Sequence, residues 1–347
     1  MSGKTLRIGV IGTGGIARNR HIPGYQRLDD VEIVALCDIA PGLAAKVGDE
    51  IGVEQTFTDA REMFDKVDLD AVSVCTPNVA HKEMTLLALE AGCHVLCEKP
   101  IAMDVAEGQA MVDKAKAADR ILQIGLHYRF SSEAQTVKRF VEAGELGDIY
   151  YGESTYFRRR GIPSWGVFTQ KRLQGGGAMI DIGVHVLDHT LWLMGNPKPV
   201  SVFGNTYAAL GNQDGLFSPW GPWDTKKFDV DDMAIALIRF ENNATLMLRA
   251  CWAGHIEKTF EEMRLMGTRG GAFIKPLGIY QDKHGVMVDI TPKDLPKVEP
   301  HFQEIAHFCA CIRDEAQCIV VPEQVLDVQR IIDAIYVSSD SGHEVIL

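Results

Sequence analysis

The feature that most constrains this chain lies near its start. Leu6 to Ile11 is an apolar, β-branched run that reads as a buried strand, and it leads into Gly12-Thr13-Gly14-Gly15-Ile16-Ala17. A helical segment follows toward Arg27, and a second strand, Val31 to Cys37, ends at Asp38. A lone glycine pattern is weak; strand, glycines, helix, strand and terminal acid together specify a dinucleotide-binding unit. Gly12 allows the tight turn, Gly14 lets the backbone approach a pyrophosphate, and Ala17 fills the close-packed third position. Backbone N–H groups at the start of the helix bind the phosphates. Asp38 can accept hydrogen bonds from ribose hydroxyls and repels a 2′-phosphate. Ile39, not a basic residue, follows it, so the site favours NAD over NADP.

Strands and helices continue to alternate: a strand near 55–57, a helix near 60–66, a strand at 71–76, a helix at 80–91, the strand around Val95, a helix at 105–118 and a strand at 121–126. Repeated units of this kind need right-handed crossovers onto one parallel, doubly wound sheet. Thr76-Pro77-Asn78 closes one strand, either against the cofactor or as a plain strand-to-helix turn. Gly92 to Pro100 delivers Glu98, Lys99 and Pro100 to the carboxyl end of another, where Lys99 would face the chemistry.

The second half changes character. After a helix near 134–143, strand-like runs appear at 149–157, 200–207, 233–240, 244–251 and 262–266, a pattern that predicts a second, antiparallel domain. With 347 residues the chain is long enough for two domains, expected at 1–127 and 128–347, with the final helices (302–313 and 322–338) packing back on the sheet. The net charge of -12 argues against broad nucleic-acid binding. The eight cysteines are scattered without the paired spacings of a zinc site, so no metal is expected. The start of the chain shows no leader pattern and no apolar run long enough to span a bilayer, which predicts a cytoplasmic protein without a membrane partner.

Between the first two strands of this half, Gly175-Gly176-Gly177 would let backbone approach a ligand or another segment, and 178–194 reads as a mostly apolar helix. On it Asp181, His185 and Asp188 follow at spacings of four and three, which places them on one face. Such a face can present an acid, a histidine and a second acid to a cleft, or bury a histidine capped by an aspartate. Arg158 and Trp165 suit sugar hydroxyls or a carboxylate, and equally suit an exposed arginine and a packed tryptophan. The long loop 211–228, with Trp220 and Trp223, could cover a cleft or reach a neighbouring subunit.

Taken with the fingerprint, Thr76-Pro77-Asn78 followed by His81, Glu98-Lys99-Pro100, Tyr128-Arg129-Phe130 and the Asp181 to His185 constellation resemble the glucose-fructose oxidoreductase, inositol dehydrogenase and MocA family over nearly the whole chain. The resemblance implies a Rossmann domain followed by an α/β domain with a large, mostly antiparallel open sheet often used for oligomer contacts. It also implies an active-site lysine at Lys99, a substrate-side acid and histidine at Asp181 and His185, a Lys99–Pro100 bond often cis in relatives, and Asp231-Asp232 at a structural acidic position. His81 and Glu98 are then expected beside the cofactor, and Tyr128 and Arg129 beside the substrate.

The activity implied is transfer of a hydride between NAD and a secondary hydroxyl or ketone of a sugar, glycoside, anhydrosugar or cyclic polyol. Such an oxidation needs a base for the hydroxyl proton, for which Lys99 and His185 are the suited residues. His185 is the leading candidate to take it, with Lys99 orienting the hydroxyl or serving as the alternative base, a choice the sequence leaves open, and Asp181 binding substrate. Rival readings are an NAD-dependent glycosidase, which oxidises transiently and eliminates, and a non-catalytic dinucleotide sensor. Strand edges and an open sheet predict a homo-oligomer, dimer or tetramer.

Overall fold

The computed structural model describes residues 4–347 and divides into two compact units. The first runs to His127 and takes up Glu299–Leu326; the second comprises Tyr128–Val298 and Asp327–Leu347. Of the final helices, for which packing back toward the first domain is an open expectation, the segment Glu299–Leu326 groups with the first unit.

The first unit begins with β1 (Leu6–Ile11), a π-helical turn at Ala17–His21, α1 (Ile22–Tyr25) and β2 (Val31–Cys37). It continues through α2 (Leu43–Ile51), β3 (Gln55–Phe57), α3 (Ala60–Lys66), β4 (Ala71–Val74), α4 (His81–Glu90), β5 (His94–Cys97), α5 (Val105–Ala118) and β6 (Leu122–Ile124). The strands form one six-stranded sheet in the order β3-β2-β1-β4-β5-β6, every pairing parallel. That order reverses between β1 and β4, and the crevice at such a switch point is where these sheets bind ligands. Local chemistry sets the helices: Asp59 caps α3 through Arg61 N and Glu62 N, and Asp104 caps α5 through Glu107 N.

Leu6, Ile8, Ala71 and Leu96 of the sheet share a core with Tyr25 and with Ile305 and Phe308 from the later helix. Phe308 is fully buried, and burial of a side chain of this size contributes about 1.5–3 kcal/mol. This is the physical reason Glu299–Leu326 belongs to the first unit.

The second unit contains α6 (Ser132–Glu142), β7 (Ile149–Phe157), α7 (Lys171–Gln174), a π-helical turn at Met179–Gly183, and α8 (Val184–Leu193). Then come β8 (Pro199–Tyr207), β9 (Met233–Phe240), β10 (Thr245–Cys251), β11 (Phe260–Gly267), β12 (Gly270–Phe273), β13 (Gly278–Lys283) and β14 (Val286–Ile290). The chain closes with α9 (Pro300–Ile312) in the first unit, α10 (Pro322–Ser341), and β15 (Val345–Ile346).

The nine-stranded sheet runs β14-β13-β12-β11-β7-β10-β9-β8-β15, antiparallel except where β7 lies parallel to β10. The mostly antiparallel second sheet is thus present, with β12 to β15 added to the strands read from sequence. Side chains alternate between its faces. Gly152 and Ser154 face α8: a Cβ on Gly152 would stand 2.8 Å from Met194 Sδ, and Ser154 Oγ donates to Val186 O at 3.0 Å. The opposite face carries Phe203, paired with Leu237, and the Glu153–Arg249–Arg264 charge cluster.

Candidate functional site

In the first unit the carboxyl ends of the parallel strands bring the predicted residues to one edge of the sheet. Gly12 takes φ +86°, and a Cβ there would stand 2.7 Å from the Cys75 carbonyl, so only glycine fits the turn from β1 toward β4. Gly14 and Gly15 are exposed, and a Cβ on Gly14 would meet nothing within 4 Å. Ile16 is half-buried and Ala17 fully buried behind them, against the core beneath β1 and β2. This open backbone turn at the start of a helix fits a pyrophosphate. A nicotinamide dinucleotide held there would supply a hydride acceptor at carbon 4 of its nicotinamide.

Asp38 is half-buried, and its Oδ2 accepts from Thr13 N at 2.7 Å and from Thr13 Oγ1 at 3.1 Å; Oδ1 accepts from Ala40 N at 2.9 Å. The acid therefore braces the glycine turn. Thr13 is fully buried, and its N–H and hydroxyl both go to Asp38, so it positions that acid. Ile39 is 88% exposed, an apolar plate beside the acid. Thr76 is half-buried, Pro77 exposed and Asn78 buried in the turn after β4.

Two expected cofactor contacts have other work. His81 is fully buried, with Nδ1 2.8 Å from Pro100 O and Nε2 3.1 Å from Thr76 O. It ties the turn after β4 to the Lys99–Pro100 turn, whose peptide bond is cis. Burial lowers its pKa despite both carbonyls, which keeps it neutral.

Glu98 is also buried, and its Oε1 accepts from His21 Nε2 at 2.9 Å while Oε2 accepts from Lys99 N at 3.2 Å. One set of donors satisfies the whole chain of groups: Tyr25 OH to Ser73 Oγ (2.8 Å), Ser73 OH to His21 Nδ1 (3.0 Å), and His21 Nε2–H to Glu98. Burial works against the Glu98 charge, but the His21 hydrogen bond and the Lys99 charge prevail and lower its pKa. Glu98 is a positioning residue for the turn that presents Lys99. Sequence reading missed this network because His21, Ser73 and Glu98 come from three separate elements.

In the second unit the helix expected over 178–194 begins as the π-turn at Met179–Gly183. Asp181 lies in that turn, and His185 and Asp188 follow in α8 at the spacing of three that puts them on one helix face. Asp181 Oδ2 accepts from Trp252 Nε1 at 2.9 Å and lies 3.8 Å from Arg158 Nη1. His185 is buried, its ring stacked on Tyr128 with centroids 5.0 Å apart. Burial raises the Tyr128 pKa, so the phenol stays protonated.

Asp188 has a partner of its own. With Arg129 it forms a fully buried, two-bond ion pair, Nε to Oδ2 at 2.9 Å and Nη2 to Oδ1 at 2.5 Å. Arg129, expected beside the substrate, is thus engaged in a buried ion pair that locks α8.

Arg158 is better placed. Its guanidinium stands 5.0 Å from the Tyr156 ring and 5.2 Å from the Trp220 ring, and Nη1 donates to Gly161 O at 3.2 Å. Trp165, 52% exposed, meets Trp220 edge-on at 5.1 Å. The long loop between β8 and β9 thus adds an aromatic wall beside Arg158 and Asp181. Trp252, the donor to Asp181, was missed; its position directly after an alternating strand was the available signal.

The glycine run serves a neighbouring segment. A Cβ on Gly177 would stand 1.8 Å from Asp231 O, and one on Gly176 would stand 2.0 Å from the Tyr336 hydroxyl. Asp231 in return accepts from Gly177 N (2.7 Å), Met179 N (2.9 Å) and the Tyr336 hydroxyl (2.7 Å), capping the π-turn that carries Asp181. Asp232 accepts from Leu210 N at 2.6 Å and Gly211 N at 2.7 Å, fastening the start of the long loop.

A family model described as "Oxidoreductase family, NAD-binding Rossmann fold" matches residues 6–126, and the "GFO/IDH/MocA C-terminal domain" matches residues 134–273. The chain belongs to the GFO/IDH/MocA family. Among relatives of this oxidoreductase, D-glucoside 3-dehydrogenase of Escherichia coli (strain K12) is 34% identical over 346 residues, covering 99% of this chain and 98% of that one. Levoglucosan dehydrogenase of Pseudarthrobacter phenanthrenivorans is 30% identical over 291 residues, 77% of this chain and 73% of that one. A solved levoglucosan dehydrogenase in complex with NADH and L-sorbose superposes with a TM-score of 0.84 at 25% identity, covering 99% of each chain. The two folds described above are those of this GFO/IDH/MocA oxidoreductase. Among the described residues no helix is long and apolar enough to cross a membrane.

Proposed function

We propose that this chain oxidises a secondary hydroxyl of a glucoside or anhydrosugar to a ketone, or runs the reverse, with NAD as its hydride partner. The observation that carries the reading is Asp181, fixed by Trp252 at 2.9 Å and by Arg158 at 3.8 Å beside an aromatic wall, on the same helical segment as His185. A fixed carboxylate with an arginine and aromatic faces is chemistry suited to a polyhydroxylated ring. Full-length similarity to a protein named D-glucoside 3-dehydrogenase supports the substrate class.

In this reading His185 takes the hydroxyl proton, Lys99 at the end of β5 orients the hydroxyl, and Asp181, Arg158, Tyr128 and Trp165 bind the sugar. Gly12, Gly14, Gly15 and Ile16 carry the dinucleotide phosphates, the 76–78 turn lies along the cofactor, and Asp38 takes the ribose and selects NAD. The outward sheet face, where Phe203 is 55% exposed beside Leu237, is the proposed surface for homo-oligomer assembly, checked by light scattering of Phe203→Glu.

The test is purified protein with NAD+ or NADP+ and a panel of alkyl glucosides, anhydrosugars and inositols, followed by reduced-nicotinamide absorbance and released aglycone. Steady NADH formation with glucosides or anhydrosugars is expected. Aglycone release without net NADH would mean a glycosidase instead, and NADH binding with no turnover on any class would overturn the reading.

A further inference from the structure

His307 and Cys311 lie one helical turn apart on α9, and Cys318 returns from the loop that follows. Their ligand atoms all lie within 4.8 Å of one another, and His307 Nε2 is 3.4 Å from Cys311 Sγ. With Zn–S about 2.3 Å and Zn–N about 2.0–2.1 Å, the edges of a zinc tetrahedron are roughly 3.5–3.8 Å. The three atoms therefore stand near three corners of such a site.

A fourth donor is at hand. Gln123 Oε1 lies 3.6 Å from Cys318 Sγ, and the amide is held in that sense because its Nε2 donates to Glu304 O at 3.2 Å. The Ile319 N–H donates to His307 Nε2 at 3.1 Å, so the nitrogen turned toward the cysteines carries a lone pair, as a metal ligand must.

We propose that His307, Cys311 and Cys318 bind one divalent cation of the Zn2+ class at the end of α9, with Gln123 Oε1 or a water as the fourth ligand. Charge favours this class: two thiolates neutralise a divalent ion, so Cys311 can stay buried without an uncompensated charge. Thiolate ligands select against Mg2+ and Ca2+. Binding exchanges two S–H bonds for two S–metal bonds and releases two protons to solvent. The Cys318 contact to Val320 O (3.4 Å) and the Ile319 bond to His307 are given up. The ion would clamp the 313–320 loop onto α9 and β6, a structural role separate from hydride transfer. Widely spaced ligands, one from a loop, are why the cysteine spacing did not announce it.

The full chain, reduced and stripped with chelator, is titrated anaerobically with Co2+. Saturation at one Co2+ per chain is expected, with thiolate-to-cobalt charge transfer and tetrahedral ligand-field bands that Zn2+ abolishes. Cys318→Ala should remove about half of the charge-transfer intensity, one of two thiolates being lost. His307→Gln should shift the ligand-field bands, and Cys93→Ser should change neither. Circular dichroism and NADH binding check that each variant is folded. Absence of the bands in folded, reduced protein, or bands that persist unchanged in Cys318→Ala and His307→Gln, would overturn the proposal. So would recovery of a Cys311–Cys318 disulfide in protein that takes up no cobalt after reduction.

Discussion

The Arg129–Asp188 pair offers a test in which a structural role and a substrate role predict opposite results. Both side chains are fully buried and joined by two hydrogen bonds, so removing one partner leaves the other charge in the core without its counter-ion. Asp188→Leu or Arg129→Met alone should cost about 3–5 kcal/mol, while the double variant should lie within about 1 kcal/mol of the parent or above it. For a unit of this size the single variants should lose roughly 10 °C in Tm. Urea unfolding followed by tryptophan fluorescence is the assay, because Trp192 lies 5.8 Å from the Arg129 guanidinium and reports on α8 directly. The four stabilities form a cycle in which the double cost minus the two single costs gives an expected coupling of roughly 6–10 kcal/mol in magnitude. If the two single costs add to within about 0.5 kcal/mol, the pair is not the unit described. If Arg129→Met keeps its stability but raises KM, Arg129 is a substrate ligand after all.

Lys99→Ala should lower kcat by about 10²–10⁴ while NADH titration stays near the parent curve, and unchanged turnover would remove Lys99 from the mechanism. Two glycine substitutions should separate cleanly. Gly14→Ala, where a Cβ meets open space, should keep Tm and weaken NADH binding; Gly177→Ala, with its Cβ 1.8 Å from Asp231 O, should cost about 3 kcal/mol or more, read by urea unfolding. His189 is buried, and burial, with Lys275 and Arg129 nearby, lowers its pKa from 6.5 to about 3. The unfolded chain therefore binds a proton that the folded chain does not between those values, and stability falls as pH drops from 6.5 toward 3. His189→Phe should flatten that slope, measured as Tm against pH; an unchanged slope would assign it to other groups.

What the sequence disclosed and what it hid follow from how local each signal is. β1, the glycine turn and β2 with its terminal acid were legible because each is written within a few consecutive residues. α2 carries no such mark: it is flanked by Gly42 and Gly52, both left-handed, with no polar cap. β12 to β14 are short, and β14 is largely exposed, with Met287 at 89%, so burial left little alternation to read. The misread residues fail for another reason. His81 and Arg129 look like polar groups destined for a ligand, and their partners, Pro100 O and Asp188, lie 19 and 59 positions away. Asp181 could be picked out as a functional acid, but not the donor that fixes it, because Trp252 is 71 positions further on.

The fastening of the long loop between β8 and β9 bears on how this protein could change its diet. Asp232 grips the loop where it starts, at Leu210 and Gly211, and Asp231 locks the segment where it ends onto Gly177 and Met179. Between these anchors lie the residues that wall the proposed sugar site, Trp220 beside Arg158 among them. Such a segment is a cassette: its middle can be lengthened, shortened or exchanged between relatives while the carboxylates at its end keep Asp181 where it is. New substrates would then arise by replacing the wall and leaving the hydride chemistry untouched.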